Sequence, residues 1–336
     1  MDIHGNLNLT PAKIKAKILS LTSAKHLWVG YSGGMDSHVL LHGVVQAFAD
    51  DPDLEIAALH IHHGISHFAD EWVIHCEKVC AALQVPLTVL YVDGKVVDGR
   101  SPEEVAREAR FTAFENFLSA DDCLLLAHHE ADQAETILLR LFRGTGPLGL
   151  GGIPERSNVG KSHLIRPLLW EPKADIEQYA RANHLQWIED DSNANRRFDR
   201  NYLREEIMPI ISARWPRVVR SVNRAGALCF ETATAVQILA LQDLELVKGK
   251  EPANLSVSKL LPMEIARRRG VIRCWLQQKG FSAPSFDHMV RIDKEVLYAK
   301  AGAKPQLKIG DYEIRRVGDE LCVQIFAQVP ESEEKS

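Results

Sequence analysis

The sequence has no long uninterrupted apolar run. Stretches such as Cys123–Ala127 fall far short of the roughly 20 residues a membrane span needs, and residues 1–10 lack the charged-then-apolar pattern of a leader. A cytoplasmic protein with no membrane partner is expected. The six cysteines, at 76, 80, 123, 229, 274 and 322, never form Cys-x-x-Cys. Cys76 and Cys80 lie one helical turn apart without the second pair a structural zinc site needs, so buried free thiols are expected. Strong charge of one sign is also missing: a net −5 argues against a generally nucleic-acid-coated surface. Two familiar phosphate loops are absent, Gly-x-x-x-x-Gly-Lys-Ser/Thr and Gly-x-Gly-x-x-Gly, which weakens kinase, GTPase and dehydrogenase readings. No internal repeat is visible.

What is present is 46% apolar residues over 336 positions, enough for two domains with cores of their own. Strand-length apolar runs at 26–31, 56–61, 87–92 and 123–127 alternate with helical-period segments, the rhythm of an α/β fold with a Rossmann-like parallel sheet. Ser101, Pro102 and Glu104 spell a helix start with a capping box. The alternation fades near residue 155. After Trp215-Pro216 helices are expected at about 217–247, 258–279 and 285–300, then a strand pair at 306–315 and 320–327 around Gly318-Asp319. The expected division is a catalytic domain at 1–215, a smaller mainly helical domain at 216–330, and a fraying tail at 331–336.

The most informative segment is Leu27 to Ser37, a strand that runs through Ser32-Gly33-Gly34-Met35-Asp36-Ser37 into a helix. Two glycines let backbone N–H groups approach an anion, Ser32 and Ser37 add hydroxyls, and the helix start adds partial positive charge. A carboxylate beside polyphosphate is repelled unless a cation intervenes, so Asp36 is assigned to Mg²⁺ on a leaving pyrophosphate. This Ser-Gly-Gly-x-Asp-Ser loop resembles that of the PP-loop ATP pyrophosphatases, which adenylate an oxygen.

His60, His62, His63 and His67 follow the second strand. Lining of the nucleotide pocket is one reading; a zinc site on His60 and His62 and ordinary loop histidines are the others. The fourth strand ends in His128-His129-Glu130-Ala131-Asp132-Gln133-Ala134-Glu135-Thr136, where Asp132 and Glu135 share a helix face. Arg107 and Arg110 share another, for phosphate or a carboxylate, or in surface salt bridges. The glycine-rich turn 143–152 suits a lid or close RNA approach. From Arg196 to Arg224 eight arginines stand against three carboxylates, a patch suited to steering a polyanion or else a solvated helix face.

Taken in order, Ser32–Ser37, His62-His63-Gly64, Ala106-Arg107 with Arg110-Phe111, His128 through Thr136, Arg143-Gly144-Thr145-Gly146, and Asp191-Ser192-Asn193 with Arg200-Asn201 and Arg204 resemble the tRNA(Ile)-lysidine synthases over about residues 25–215. The resemblance implies ATP and Mg²⁺ as cofactors, and a CAU-anticodon isoleucine tRNA and free lysine as substrates. ATP adenylates the wobble cytidine and the lysine ε-amine then displaces AMP. It implies that Ser32, Gly33, Gly34, Met35, Asp36, Ser37, His62 and His63 meet the nucleotide. Arg107, Arg110, Asp132, Glu135, Arg143, Arg200, Asn201 and Arg204 then meet lysine or RNA. Asp132 and Glu135, or else His129, are candidates for accepting the amine's proton. Ala131 replaces an aspartate frequent in the family, and longer members carry a further C-terminal domain. A homodimer is admitted but not required. Another PP-loop tRNA-modifying enzyme and an ATP-binding regulatory module are the alternatives; the former would want sulfur-carrying cysteines or a glutaminase domain.

Overall fold

The computed structural model describes residues 8–64, 68–92, 102–189, 198–300 and 303–325. The Ser101 cap, His67, Asp191-Ser192-Asn193, Arg196, Arg197 and the tail lie outside the described residues. Two compact units divide the chain, Met1–Phe230 and Glu231–Ser336.

Six strands build the sheet of the first unit: β1 (His26–Gly30), β2 (Glu55–His62), β3 (Leu87–Tyr91), β4 (Asp122–Leu125), β5 (Arg156–Val159) and β6 (Ser162–Ile165). Their order is β3-β2-β1-β4-β6-β5. The first five in that order run parallel, and β5 returns antiparallel to β6. The helices are α1 (Pro11–Leu21), α2 (Met35–Ala47), α3 (Ala69–Ala82), α4 (Pro102–Phe117), α5 (Glu130–Phe142), α6 (Pro147–Leu150), α7 (Lys173–Ala182), α8 (Asp199–Tyr202) and α9 (Met208–Arg214). A wide-turned stretch, Leu203–Ile207, joins α8 to α9.

A parallel sheet must be covered on both faces. Leu27, Val29 and Tyr31 of the β1 segment bury against Ile14 and Ile18 of α1, Val39, Leu40 and Val44 of α2, and Ile176 and Tyr179 of α7. The alternate face packs Leu59, Leu124 and Leu164 on Phe114 and Leu118, with Trp28 edge-on to Phe117 at 4.9 Å. Because β1 has β2 on one side and β4 on the other, the chain reverses its direction of winding there. A crevice opens beyond the carboxyl ends of these strands.

The β5–β6 hairpin escaped the sequence reading. Its strands are four residues long, half polar, and turn on Gly160 at φ 55°. Such strands carry no apolar run to detect.

The helix α10 (Val218–Leu246) spans the division between the units. By length and composition alone it could cross a membrane, at mean hydropathy 1.2 over its most apolar window. Run length missed this because Thr, Gln and Ser interrupt the apolar residues. The helix carries no argument for a membrane: Asn223 is buried and bonded to the Glu130 carbonyl, and Ala240 and Leu244 sit in a protein core.

In the second unit the expected helix over 258–279 is two, α11 (Val257–Leu260) and α12 (Ile265–Gln278). Pro262 cannot continue the first, and the Glu264 carboxylate caps the second through Ala266 N–H. The helix α13 (Phe286–Arg291) continues as a π-helical stretch, Ile292–Leu297. The expected strand pair is three strands, β8 (Gln306–Ile309), β9 (Tyr312–Val317) and β10 (Glu320–Ile325), because Gly310-Asp311 makes a turn like Gly318-Asp319. A short β7 (Leu255–Ser256) completes an antiparallel sheet ordered β7-β10-β9-β8. This unit thus holds a sheet with helices packed on it, its core built from Trp275, Leu276, Val296, Tyr312, Ile314 and Leu321.

Candidate active site

At the end of β1 the chain turns at Gly33, whose φ of 86° is open to glycine and strained for other residues. A Cβ there would stand 3.3 Å from Cys76 Sγ and 3.4 Å from Ile188 Cδ1. Two hydroxyls hold the curl: Ser32 N–H donates to Ser37 Oγ at 3.2 Å, Ser37 Oγ donates to the Gly34 carbonyl at 2.9 Å, and the two Oγ atoms are 3.0 Å apart. Gly34 caps α2 without a side-chain bond. The first-turn N–H groups of α2 are therefore available to an anion.

This loop forms one end of a cavity of about 760 Å³, a volume in the range of small-molecule sites. Ser32, Gly34, Met35, Asp36, Ser37, His60 and His63 line it, with Arg110, Asp132, Lys173, Trp187, Glu189 and Arg204 from other elements. Among the sequence candidates, His62 is not in this lining. Its Nε2 faces Asp70 Oδ1 at 3.1 Å and its ring lies 4.9 Å from Tyr91. His60 is buried, Nδ1 at 2.9 Å from the Tyr31 carbonyl, and burial lowers its pKa. The two do not converge as zinc ligands, and no metal-ligating cluster of three occurs among the described residues.

Asp36 bonds Lys173 Nζ at 2.5 Å and lies 3.6 Å from His129 Nε2. Burial alone would raise its carboxyl; His129 and Lys173 outweigh burial and hold it at about 2. The stability this carboxylate contributes is present above its unfolded pKa near 4 and is lost as pH falls through about 2. Thermal unfolding of the wild type and of Asp36→Asn should therefore converge between pH 5 and 2. A gap that stays constant with pH would contradict the assignment. One carboxylate beside a phosphate loop fits Mg²⁺, which is commonly held by one or two carboxylates and the oxygens of a nucleotide.

Lys173 had no motif to announce it; it follows the N-cap Pro172 of α7 and reaches Asp36 across 137 positions. Its ammonium lines the cavity beside the phosphate loop. Lys173→Met should slow pyrophosphate release by about 10²-fold, the scale of one preorganised charge donor, measured with saturating ATP. A rate within threefold of wild type would remove Lys173 from this role.

His129 caps α5. Its Nδ1 accepts from Ala131 N–H at 3.2 Å, while its own N–H donates to Asp132 Oδ2 at 3.0 Å. A ring that accepts at Nδ1 carries its proton at Nε2, between Asp36 Oδ2 at 3.6 Å and Asp132 Oδ2 at 3.5 Å.

Asp132 and Glu135 do share a face of α5, but two guanidiniums occupy them. Arg200 Nε donates to Glu135 Oε2 at 2.9 Å and its Nη2 to Asp132 Oδ1 at 3.0 Å. Arg204 reaches Glu135 Oε1 at 2.7 Å and Asp132 Oδ1 at 3.1 Å. The Asp132 carboxyl is lowered: burial would raise it, but His129 and Arg200 prevail. A carboxylate held this way binds cations well. Asn201 stands on α8 next to Arg200. Arg143 is exposed, 3.6 Å from Asp199, and is not in the cavity lining.

Arg110 lines the cavity, whereas the Arg107 guanidinium lies over the Phe111 ring at 4.8 Å. The sequence reading also missed Arg166, 3% exposed, which donates to the Pro154 carbonyl at 2.7 Å and leaves Nε without a partner. Burial, then Arg107, brings it down to about 10. Burial also holds the His128 imidazole neutral, at about 3, with Asp132 opposing and Arg166, Arg200 and Arg110 reinforcing. The glycine-rich turn is pinned to α5: Arg140 Nη1 donates to the carbonyls of Gly149 and Gly152, and Gln133 Nε2 to that of Ile153 at 3.0 Å.

A glycine loop at the switch point of a parallel sheet, with the Asp36 carboxylate and the Lys173 ammonium beside it, is the arrangement of an ATP-binding domain of the PP-loop class, and residues 9–211 match that domain family. Residues 255–322 match the TilS substrate binding domain. Two curated relatives are the tRNA(Ile)-lysidine synthases of Serratia proteamaculans, 42% identical over 88% of this chain and 67% of the relative, and of Coxiella burnetii, 40% identical over 91% and 68%. The chain belongs to the tRNA(Ile)-lysidine synthase family. A U34-tRNA thiolase from Methanococcus maripaludis superposes with TM-score 0.56 at 16% identity, over 66% of this chain and 77% of that one, a likeness of fold alone.

Proposed function

We propose that this chain is a ligase that joins lysine to the wobble cytidine of a CAU-anticodon isoleucine tRNA at the expense of ATP. The observation that carries the reading is a single cavity lined by both the phosphate loop, Ser32 to Ser37, and the Asp132–Arg204 ionic cluster. An adenylating centre and an amine-recognition centre within one cavity are what a two-step ligation needs.

In the first step the cytosine 2-oxo oxygen attacks the ATP α-phosphorus, forming the O-adenylate and releasing pyrophosphate. The first turn of α2 and Lys173 line the cavity together and would supply preorganised positive charge to the departing β- and γ-phosphates. Asp36 is the residue that would hold Mg²⁺, which would supply charge neutralisation for the pyrophosphate. In the second step the bound ε-ammonium gives up one proton to water, the neutral amine attacks C2, the C–O bond to AMP breaks, and the nitrogen's surplus proton follows to water. Asp132 and Glu135 bind the incoming ammonium, which takes the place of a guanidinium of Arg200 or Arg204. His129 keeps the two centres in register through its proton between Asp36 and Asp132. The cytoplasm, which supplies ATP, lysine and tRNA together, is the compartment we assign.

The test is incorporation of radiolabelled lysine into a CAU-anticodon isoleucine tRNA transcript with ATP and Mg²⁺, against the CAU methionine tRNA. Label in the first alone supports the reading. Pyrophosphate release without label would keep the adenylating step and replace the nucleophile. Neither signal would leave ATP binding without ligation.

A further inference from the structure

Beyond the first turns of α5 and α7 lies a second depression, a groove of about 620 Å³ lined by Trp170, Glu130, Asp175, Asn223, Arg220 and Arg224 among others. The wall between groove and cavity is thin. Pro172 lines the groove and the next residue, Lys173, the cavity, a Cα step of about 3.8 Å; Glu130 and Asp132, two residues apart on α5, are divided in the same way.

Three features of the groove have no place in the ligation chemistry. Trp170 is 42% exposed although its neighbours Leu168 and Leu169 are fully buried. A large ring is thus held in solvent on a tight turn closed by Glu171 N–H on the Leu168 carbonyl at 2.9 Å. Asn223 is 5% exposed, donates Nδ2 to the Glu130 carbonyl at 2.8 Å, and leaves Oδ1 without a partner. A buried acceptor without a donor is costly, and a ligand N–H would satisfy it. Arg220 and Arg224 lie one turn apart on α10, and Arg220 acts on the Glu130 carboxyl across the groove. An exposed ring, a waiting acceptor and two guanidiniums are the components of a seat for one unstacked nucleotide: stacking face, amine reader and phosphate contacts.

We propose that this groove seats the nucleotide on the 3′ side of the reacting cytidine, its base stacked on Trp170 and its exocyclic amine donated to Asn223 Oδ1. The proposal rests on the lysidine reading. In a CAU anticodon that nucleotide is adenosine, whose N6 amine pairs well with an asparagine oxygen. The groove then reads the middle anticodon base while the cavity holds the first.

The experiment is a double-mutant cycle on RNA affinity, read by fluorescence anisotropy of a labelled anticodon stem-loop with the whole protein. Its axes are Trp170→Ala and an abasic site at the middle anticodon position. Each change alone is expected to weaken binding about tenfold, the scale of one base–aromatic stack, and the two together no more than either alone. Trp170→Phe should keep most of the affinity, and Asn223→Ala should erase the preference for adenine over purine lacking the amine. Losses that multiply, no loss in Trp170→Ala, or Trp170-dependent binding of free AMP equal to that of the stem-loop would each overturn the proposal. Lysine incorporation into the unaltered stem-loop by wild type is measured alongside. Its absence removes the lysidine reading, whereas label together with multiplying losses removes only the groove.

Discussion

Asp36→Asn is expected to lower ATP-dependent pyrophosphate release by about 10³-fold while leaving the protein folded. The side chain keeps its size, so the packing around α2 is unchanged. Its charge is what matters: the carboxylate contacts Lys173 at 2.5 Å and lies 3.6 Å from the Nε2 of His129, and it is the group we assign to Mg²⁺. An amide keeps an oxygen for Lys173 but loses most of its affinity for a hard divalent ion. Removing one preorganised electrostatic contact typically costs 10² to 10³ in rate, and the anchor of a metal that neutralises leaving phosphate belongs at the upper end. Pyrophosphate release at saturating tRNA is the measurement, with circular dichroism to confirm the fold. A rate within tenfold of wild type would move the metal-holding role away from Asp36.

Glu135→Gln is the second large effect, and it acts on stability as much as on lysine use. Glu135 is 2% exposed and takes three hydrogen bonds from Arg200 and Arg204. The Glu135→Gln change leaves Arg200 and Arg204 with Asp132 as their carboxylate partner, so the cluster loses charge-assisted hydrogen bonds without stranding either guanidinium, at a cost of about 1–3 kcal/mol. For a unit of this size that lowers Tm by about 5 °C. The double variant Glu135→Gln/Arg204→Met should lose less than the sum of the singles, because the hydrogen bonds between these two residues are lost in both. Additive losses would mean that the cluster does not act as a unit. Lysine KM should rise in the single variant, measured by label incorporation at fixed RNA.

Much of this was legible in the residues. The first four strands follow from apolar runs of strand length, and Ser32-Gly33-Gly34 marks the turn because the chain there needs a positive φ and a close approach to Cys76. The position of Asp132 and Glu135 on one helix face follows from their spacing. Their partners were not legible as partners: Arg200 and Arg204 stood in a recognised motif, but spacing carries no information on which carboxylate a distant guanidinium meets. Lys173 and Arg166 were invisible for the same reason, single cations whose meaning arises only when the sheet closes. The second unit was misjudged at its turns, where Pro262 and Gly310 each end an element inside a pattern that otherwise continues.

One contact of the phosphate loop reaches further than the nucleotide. Ile188 N–H donates to the Gly33 carbonyl at 3.0 Å, and His38 Nδ1 lies 2.8 Å from the Gln186 carbonyl. The loop is therefore stitched to the same stretch of chain that leads on to Arg200 and Arg204. Thermodynamic linkage makes such a connection symmetric. Whatever factor a nucleotide at the loop would impose on a ligand bound at those arginines, that ligand would impose on the nucleotide, so the first to arrive would set the terms on which the second is received.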